Sequence, residues 1–380
     1  MDLILGTLGA SLGSFMSYAI PFVFVLTVIV FFHELGHFLV ARWCGVGIEA
    51  FSVGFGREIV GWTDRRGTRW KIGWLPLGGY VKFEGDANAA SLPSAEARRQ
   101  HGKTSPGDFH GKPVWQRALV VVAGPLANFI LSIVIFSAAY AIVGVPISEP
   151  KVDQVMAGSA ADEAGFKPGD IILDIDGRQI DSFADVQKII SDSADVTLTV
   201  TVGRSGNRFA LQVTPTRIEV DDGLGGKISI GRLGVSRADT SEPLYVRQAP
   251  LDAVSMAVTE TKDISLRLLS YLRGIVTGRQ SADQLAGPIG IARITKEVAA
   301  VSINGLVQLV AVLSISIGLI NLFPIPMLDG GHLLYYAIEV VRGKPLGLAA
   351  QEMGFKLGLF VVLALMLVAT FNDLSRFNLF

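Results

Sequence analysis

The chain has 380 residues, half of them hydrophobic and 18% charged, and its mean hydropathy is +0.47. Soluble domains carry more charge than this, so the balance points to a membrane protein. A formal net charge of −1 without any Lys/Arg run gives no footing for nucleic acid, and a single cysteine, Cys44, excludes a disulfide framework and a cysteine-built metal site.

Leu3 to Phe32 contains no charged residue. It is far longer than a signal-peptide core, has no basic flank and is followed by no small-residue cleavage pattern, so it reads as a retained membrane span. At its end stands FFHELGHFLVARW, residues 31–43. On a helix His33 and His37 share a face and can present imidazole nitrogens to one tetrahedral Zn²⁺, with Glu34 beside it as general base. The plainer alternative is a polar patch on a surface helix. It fails because a carboxylate and two imidazoles at the edge of an apolar span cost about 2 kcal/mol or more each unless paired or liganded.

Residues 41–117 carry twelve Lys/Arg against seven Asp/Glu, whereas residues 1–16 carry no Lys or Arg. The loop is therefore cytoplasmic. Its first part alternates apolar and polar residues between glycines, as short strands do. Phe51, Phe55, Trp62, Trp70 and Trp74 fit an ordinary aromatic core or a sheet dipping into the membrane interface, with an edge strand beside the metal. Residues 85–113 are polar and read as a mobile linker in which His101 and His110 lack a helical partner that would make them ligands.

A second uncharged run, Ala118 to Ser148, contains AGPLANF, residues 123–129. Pro125 removes a helix hydrogen bond and Asn128 places an amide in the span, which suits either a helix-packing notch or a role in the active site. From Val152 to about Pro215 the pattern is strand, short helix, strand with an IDG turn, helix and hairpin. GSAADEAGFKPGDIILDIDG resembles the most characteristic stretch of a bacterial, permuted PDZ domain, a fold that binds extended peptides at a sheet edge. One copy is present. Residues 244–298 are predicted to form amphipathic helices, lying on the PDZ domain or the membrane surface.

The third run, Val298 to Leu328, leads into GLINLFPIPMLDGGH, residues 318–332. Pro324 and Pro326 predict an unwound end lining a cavity, with Asn321 and Asp329 facing in. Asp329 is the natural third ligand of a His₂-carboxylate site, and His332 is its competitor. The fourth run, Leu357 to Asn372, is shorter and is extended by Phe355 with Lys356 snorkelling. Four alternating spans bring His33, Glu34, His37 and Asp329 to one membrane face.

HELGH, GGYVKFEG, AGPLAN, the PDZ-like run, GPIGIA and NLFPIPMLDGGH occur in that order. The chain thereby resembles the site-2 protease family of intramembrane zinc metalloproteases, most closely the branch of the bacterial regulator of sigma-E protease, over essentially its whole length. The resemblance implies one Zn²⁺ per chain on His33, His37 and Asp329, with Glu34 as base. It puts Asn321, Pro324 and Pro326 on the substrate side. It also implies a membrane-embedded hairpin around Gly78, Gly79, Tyr80 and Val81, running to Gly85, that holds substrate as an added strand. That branch commonly carries two tandem PDZ domains, whereas this chain has one.

The expected fold is an α-helical polytopic membrane protein of four transmembrane helices, with a membrane-associated β-sheet and an inserted extracytoplasmic α+β PDZ domain. The expected segments are the first span with HExxH (1–40), the β-rich loop and linker (41–117), the second span (118–148) and the PDZ domain with flanking strands (149–237). Periplasmic amphipathic helices (238–297), the third span with NxxPxPxLDG (298–330), and the last loop, fourth span and tail (331–380) follow. The expected function is regulated intramembrane proteolysis in the bacterial inner membrane, with the active site near the cytoplasmic face and the PDZ domain and both termini periplasmic. Expected partners are single-span substrates, such as an anti-sigma factor in a stress response or remnant signal peptides, a peptide or protein at the PDZ domain, and lipid. The alternative is a membrane-anchored PDZ scaffold with a non-hydrolytic metal site.

Overall fold

The computed structural model of the protein describes residues 2–86, 106–147, 149–221, 227–236, 244–281 and 286–375. Among them, four helical stretches are long and apolar enough to cross a membrane: Met16–Trp43, Val114–Ile142, Ile303–Asn321 and Ala349–Ser375. The chain is a polytopic membrane protein. It divides into one unit of residues 1–137, 254–268 and 282–380 and a second of residues 138–253 and 269–281.

In the first unit, helix α1 (Asp2–Trp43) runs through the HELGH motif and ends where Gly45, at φ +68°, lets the Gly45 and Val46 amides turn back onto Arg42 and Ala41 carbonyls. Strands β1 (Ile48–Thr63) and β2 (Arg69–Phe83) then form one sheet with an unusual register. Residues 50–53 pair with 79–82 on one side and with 69–72 on the other, while 58–63 pair with 69–73. The two long strands therefore make four ladder segments in the order 58–63, 69–75, 48–55, 79–83, leaving 79–83 at an edge. Gly54, at φ +87° and close against the Gly73 and Leu75 carbonyls, makes the bend. Asp64 at the hairpin tip bonds Arg42 and the Trp70 indole. Partial burial opposes its charge, but the Arg42, Trp70 and backbone hydrogen bonds prevail and hold its carboxyl at about pKa 2.

The expected linker is corrected at its end. Residues 87–105, with His101, lie outside the described residues, but Phe109 is buried and stacks on Phe83 at 4.7 Å, and its amide donates to the Glu84 carbonyl. An aromatic side chain that leaves water this completely anchors the backbone around it. His110 bonds the buried Asp86 carboxylate at 2.9 Å and is not a member of the metal-like cluster found among the described residues.

Helix α2 (Val114–Ile142) crosses α1 closely, since a Cβ on Gly36 would overlap the Ala123 carbonyl. It stops six residues before the expected end of the second run, at Gly144 with φ +105°, and strand β3 (Val145–Ile147) follows.

In the second unit come β4 (Gln154–Val155), α3 (Ala160–Glu163), β5 (Ile171–Ile175), β6 (Arg178–Gln179), α4 (Phe183–Asp192), β7 (Leu198–Arg204) and β8 (Asn207–Val213). Strands β9 (Thr216–Asp221), β10 (Lys227–Arg232), β11 (Val235–Ser236) and β12 (Leu244–Val246) complete it. The main sheet has the order β6-β5-β7-β8, and β4 pairs with β11. Its tight turns, Asp176-Gly177 and Ser205-Gly206, have positive φ at both central residues, as type I′ hairpins require. Ile172, Val186, Val200 and Val202 fill the core. The carboxylate of Asp170, wholly buried, takes two hydrogen bonds from Arg204 at 2.6 and 2.7 Å. The expected helical start at Leu244 is corrected: residues 244–246 are a strand paired with β3, and the helix begins at Pro250, whose ring suits a first helical turn.

Helix α5 (Pro250–Val276) leads to α6 (Pro288–Val301) and α7 (Ile303–Asn321). The third span therefore starts at Ile303 rather than Val298, because Ser302 adopts extended backbone and caps α7 through the Gly305 amide. Residues 322–328 are not helical, and α8 (Asp329–Arg342) restarts at Asp329. In α9 (Leu348–Ser375) the buried Asp373 carboxylate accepts from the Gly287 and Gly290 amides at 3.1 and 2.8 Å, so GPIGIA and the C-terminal FND meet as a helix N-terminus and its acidic cap.

Candidate metal centre

One turn of α1 sets His33 and His37 on a common face, and both are buried. Their Nε2 atoms lie 3.2 Å apart. The first residue of α8 completes the group: Asp329 Oδ2 is 3.1 Å from His33 Nε2, and Asp329 Oδ1 is 3.5 Å from His37 Nε2. Two prolines that cannot continue α7 force the chain to break and restart, and the restart delivers the carboxylate at a helix start rather than along a helix face. Gly330 and Gly331 make the return tight enough, because a Cβ on either would overlap carbonyls of residues 322, 323 and 325. Met327, at φ +96°, carries the strain of the link.

Each imidazole is held from its far side by α2. His37 Nδ1 is 2.8 Å from the Val120 carbonyl, an obligate acceptor, so Nδ1 carries the proton and Nε2 presents a lone pair inward. His33 Nδ1 is 3.2 Å from the Asn128 amide. Gly124 lies between these two contacts; a Cβ there would overlap His37 Nε2 and stand 2.9 Å from His33 Cε1.

The donor set fits a zinc ion. Two imidazole nitrogens and a carboxylate converge within 4.8 Å, and Asp329 Oδ2 is buried without a hydrogen-bond partner although it lies 3.1 Å from His33 Nε2. Two ring nitrogens and a carboxylate gathered this closely in a buried site suit a shared cation. Tetrahedral Zn²⁺ with bonds of about 2.0–2.1 Å would space its ligand atoms roughly 3.3 Å apart, matching the separations here and leaving one position open.

Glu34 is the helical neighbour of His33 and is half-buried, its Cγ facing Gly79. The edge segment 79–83 thus runs beside the base, with Gly79 in the narrowest place: a Cβ there would stand 2.7 Å from the Ser52 carbonyl, 2.8 Å from Val30 Cγ1 and 3.1 Å from Glu34 Cγ. Gly78, at φ +136°, could not bear a side chain beside Phe55, and the Tyr80 ring stacks on Phe55 at 6.1 Å. Asn321 closes α7, and Pro324 and Pro326 lie in the link; Pro326 also abuts α9, where a Cβ on Gly358 would overlap its carbonyl. His332 lies outside the ligand cluster, its ring edge-on to Tyr335 at 6.3 Å.

Sequence reasoning missed Val120, Gly36 and Gly124. A backbone acceptor leaves no mark on residue identity, but Gly36 opposite the small residues of AGPLA was a legible sign of close helix packing.

The sequence profile described as "Peptidase family M50" matches residues 21–365. A relative from Agrobacterium fabrum, named for zinc metalloprotease activity, is 44% identical over 373 residues, 98% of this chain and 99% of its own. One from Brucella suis, named likewise, is 46% identical over 93% of this chain and 94% of its own. The metalloprotease MmpA of Caulobacter vibrioides is 41% identical over 96% of this chain and 97% of its own. Among solved structures, the PDZ domain of an SdrC-like protein from Listeria monocytogenes matches with a TM-score of 0.18 and 21% identity over 21% of this chain and 82% of that one, too slight a likeness to assign a fold.

Proposed function

The chain belongs to peptidase family M50 and is a zinc metalloprotease, and from that premise we propose that it is an intramembrane protease of the site-2 type, cutting peptide bonds within or near the membrane-spanning segment of single-span proteins. The observation that carries the reading is the convergence of His33, His37 and Asp329, with Glu34 beside them, at the end of an apolar span. Family membership leaves the scaffold alternative without support.

In this reading His33, His37 and Asp329 hold one zinc per chain. When bound, the ion lowers the pKa of a water toward about 7 and polarises the scissile carbonyl. Glu34 takes the proton of the attacking water and returns it to the leaving amine. The burial of both imidazoles and the Val120 carbonyl behind His37 keep these ligand atoms in place.

A transmembrane substrate must unwind locally, and each unpaired backbone group in hydrocarbon costs several kcal/mol. The edge segment 79–83, backed by the rest of its sheet and abutting Glu34, offers new backbone hydrogen bonds that offset this cost. The exposed Ile59, Val60, Trp62 and Trp74 of the same sheet favour its lying in the membrane interface. Asn321, Pro324 and Pro326 line the substrate side. The second unit, at residues 152–215 and the strands that follow, serves as a PDZ-type peptide-binding domain. With the basic loop 41–117 in the cytoplasm, the active site opens near the cytoplasmic face of a bacterial inner membrane, and that domain and both termini are periplasmic. Substrates of this chemistry are an anti-sigma factor already trimmed outside and spent signal peptides.

Glu34→Gln should abolish cleavage of a single-span reporter in detergent while zinc content by elemental analysis stays at one per chain. Undiminished turnover would sink the proposal. Mass spectrometry of co-expressed single-span proteins, cut by wild type and uncut by the variant, identifies the substrate class; cuts confined to water-exposed loops would contradict the intramembrane assignment.

A further inference from the structure

Three buried side-chain atoms among the described residues have no hydrogen-bond partner: Asn128 Oδ1, Asp329 Oδ2 and Tyr335 Oη. Two of the residues that bear them flank one imidazole. Asp329 Oδ2 lies 3.1 Å from His33 Nε2, and the Asn128 amide nitrogen lies 3.2 Å from His33 Nδ1, while Asn128 Oδ1 is left without a partner.

An amide nitrogen can only donate, so this orientation suits a His33 whose Nδ1 is a lone pair and whose proton sits on Nε2. A His33 that ligates through Nε2 must carry its proton on Nδ1, which then needs an acceptor. A half-turn of the Asn128 side-chain amide supplies one, and both orphan oxygens near His33 then have partners: Oδ1 receives Nδ1–H and Oδ2 receives the cation. We propose that Asn128 is a positioning residue of the metal site, accepting through Oδ1 from His33 Nδ1–H and so fixing the tautomer and ring plane in which His33 binds zinc.

The surroundings suit that task. Asn128 is fully buried, and its own carbonyl is gripped by the Ser132 and Ser314 hydroxyls at 2.9 and 3.0 Å, which pins its backbone between α2 and α7. Gly318 leaves room for its Cβ, at 3.1 Å from where a side chain would begin. The arrangement parallels His37, whose Nδ1 faces the Val120 carbonyl farther back along α2. In this view each half of the HExxH pair is oriented by one acceptor from α2.

The proposal rests on the assignment of His33, His37 and Asp329 as ligands. Its test is a zinc-affinity measurement by chelator competition on the full-length protein in detergent, with far-UV circular dichroism as the folding check. Asn128→Leu, similar in volume and unable to accept, should weaken zinc binding about 10- to 100-fold. Asn128→Asp, which can only accept, should keep the affinity within about threefold of wild type or tighten it, a rescue that a packing role would not produce. Wild-type affinity in Asn128→Leu, or equal losses in both variants, would overturn the proposal. His33→Ala and His37→Ala separate it from the reading beneath: if they lose zinc while Asn128→Leu does not, the amide's role alone is wrong; if they retain zinc, the ligand set is wrong and the proposal goes with it.

Discussion

Gly124→Ala is the smallest change that should damage the metal site without touching a ligand. The added methyl would overlap His37 Nε2 and come to 2.9 Å from His33 Cε1, so both rings must move or α2 must retreat. Retreat is opposed by the close approach of Gly36 to the Ala123 carbonyl and by the 2.8 Å contact from His37 Nδ1 to Val120, one turn before Gly124. Overpacking of this kind costs about 1–3 kcal/mol, and the rings bearing it are the proposed ligands, so zinc affinity should fall roughly 5- to 150-fold. The same substitution gains about 1 kcal/mol of helix propensity, so thermal unfolding of the zinc-free protein should change little. Chelator competition and a thermal scan on one sample report the two quantities. Wild-type zinc affinity in Gly124→Ala would show that the imidazoles are not held against α2, and would refute this construction of the site.

Two other outcomes are expected elsewhere in the chain. Gly79→Val would press on Val30, the Ser52 carbonyl and Glu34 Cγ, so it should lower reporter cleavage at least tenfold with zinc content unchanged; loss of zinc instead would mean that the edge segment supports the ligands rather than the base. In the second unit, burial alone would raise the Asp170 carboxyl, but the bidentate Arg204 contact and the Lys167 amide prevail and hold it below its ordinary value. With a folded pKa below the unfolded value of about 3.9, this pair stabilises above that pH and loses its contribution as pH falls through the folded value. Asp170→Ala should cost roughly 3 kcal/mol of local stability at neutral pH, seen as faster hydrogen exchange of residues 198–204, and the difference from wild type should shrink in acid; a pH-independent difference would be the contrary result.

Much of this protein is written in local pattern. The lengths of the uncharged runs determine that four helices can span a membrane, and the i,i+4 spacing of His33 and His37 determines that they share a face, because both follow from helix geometry alone. The paired prolines likewise determine that the chain breaks before Asp329. Local pattern is blind to residues that meet across the fold. That Asp329 rather than His332 reaches the histidines depends on how tightly two glycines fold the link over carbonyls 322–325. The doubling of β1 and β2 into four ladder segments, which puts 79–83 at an edge beside Glu34, arises from long-range register that alternation does not encode. Phe109, in a stretch polar enough to read as linker, is buried because Phe83 is there to receive it. The orientation of each imidazole is likewise tertiary: a carbonyl at Val120 and an amide at Asn128, 83 and 95 residues away from the rings they face, hold HELGH, and only the packing of α2 on α1 brings them there.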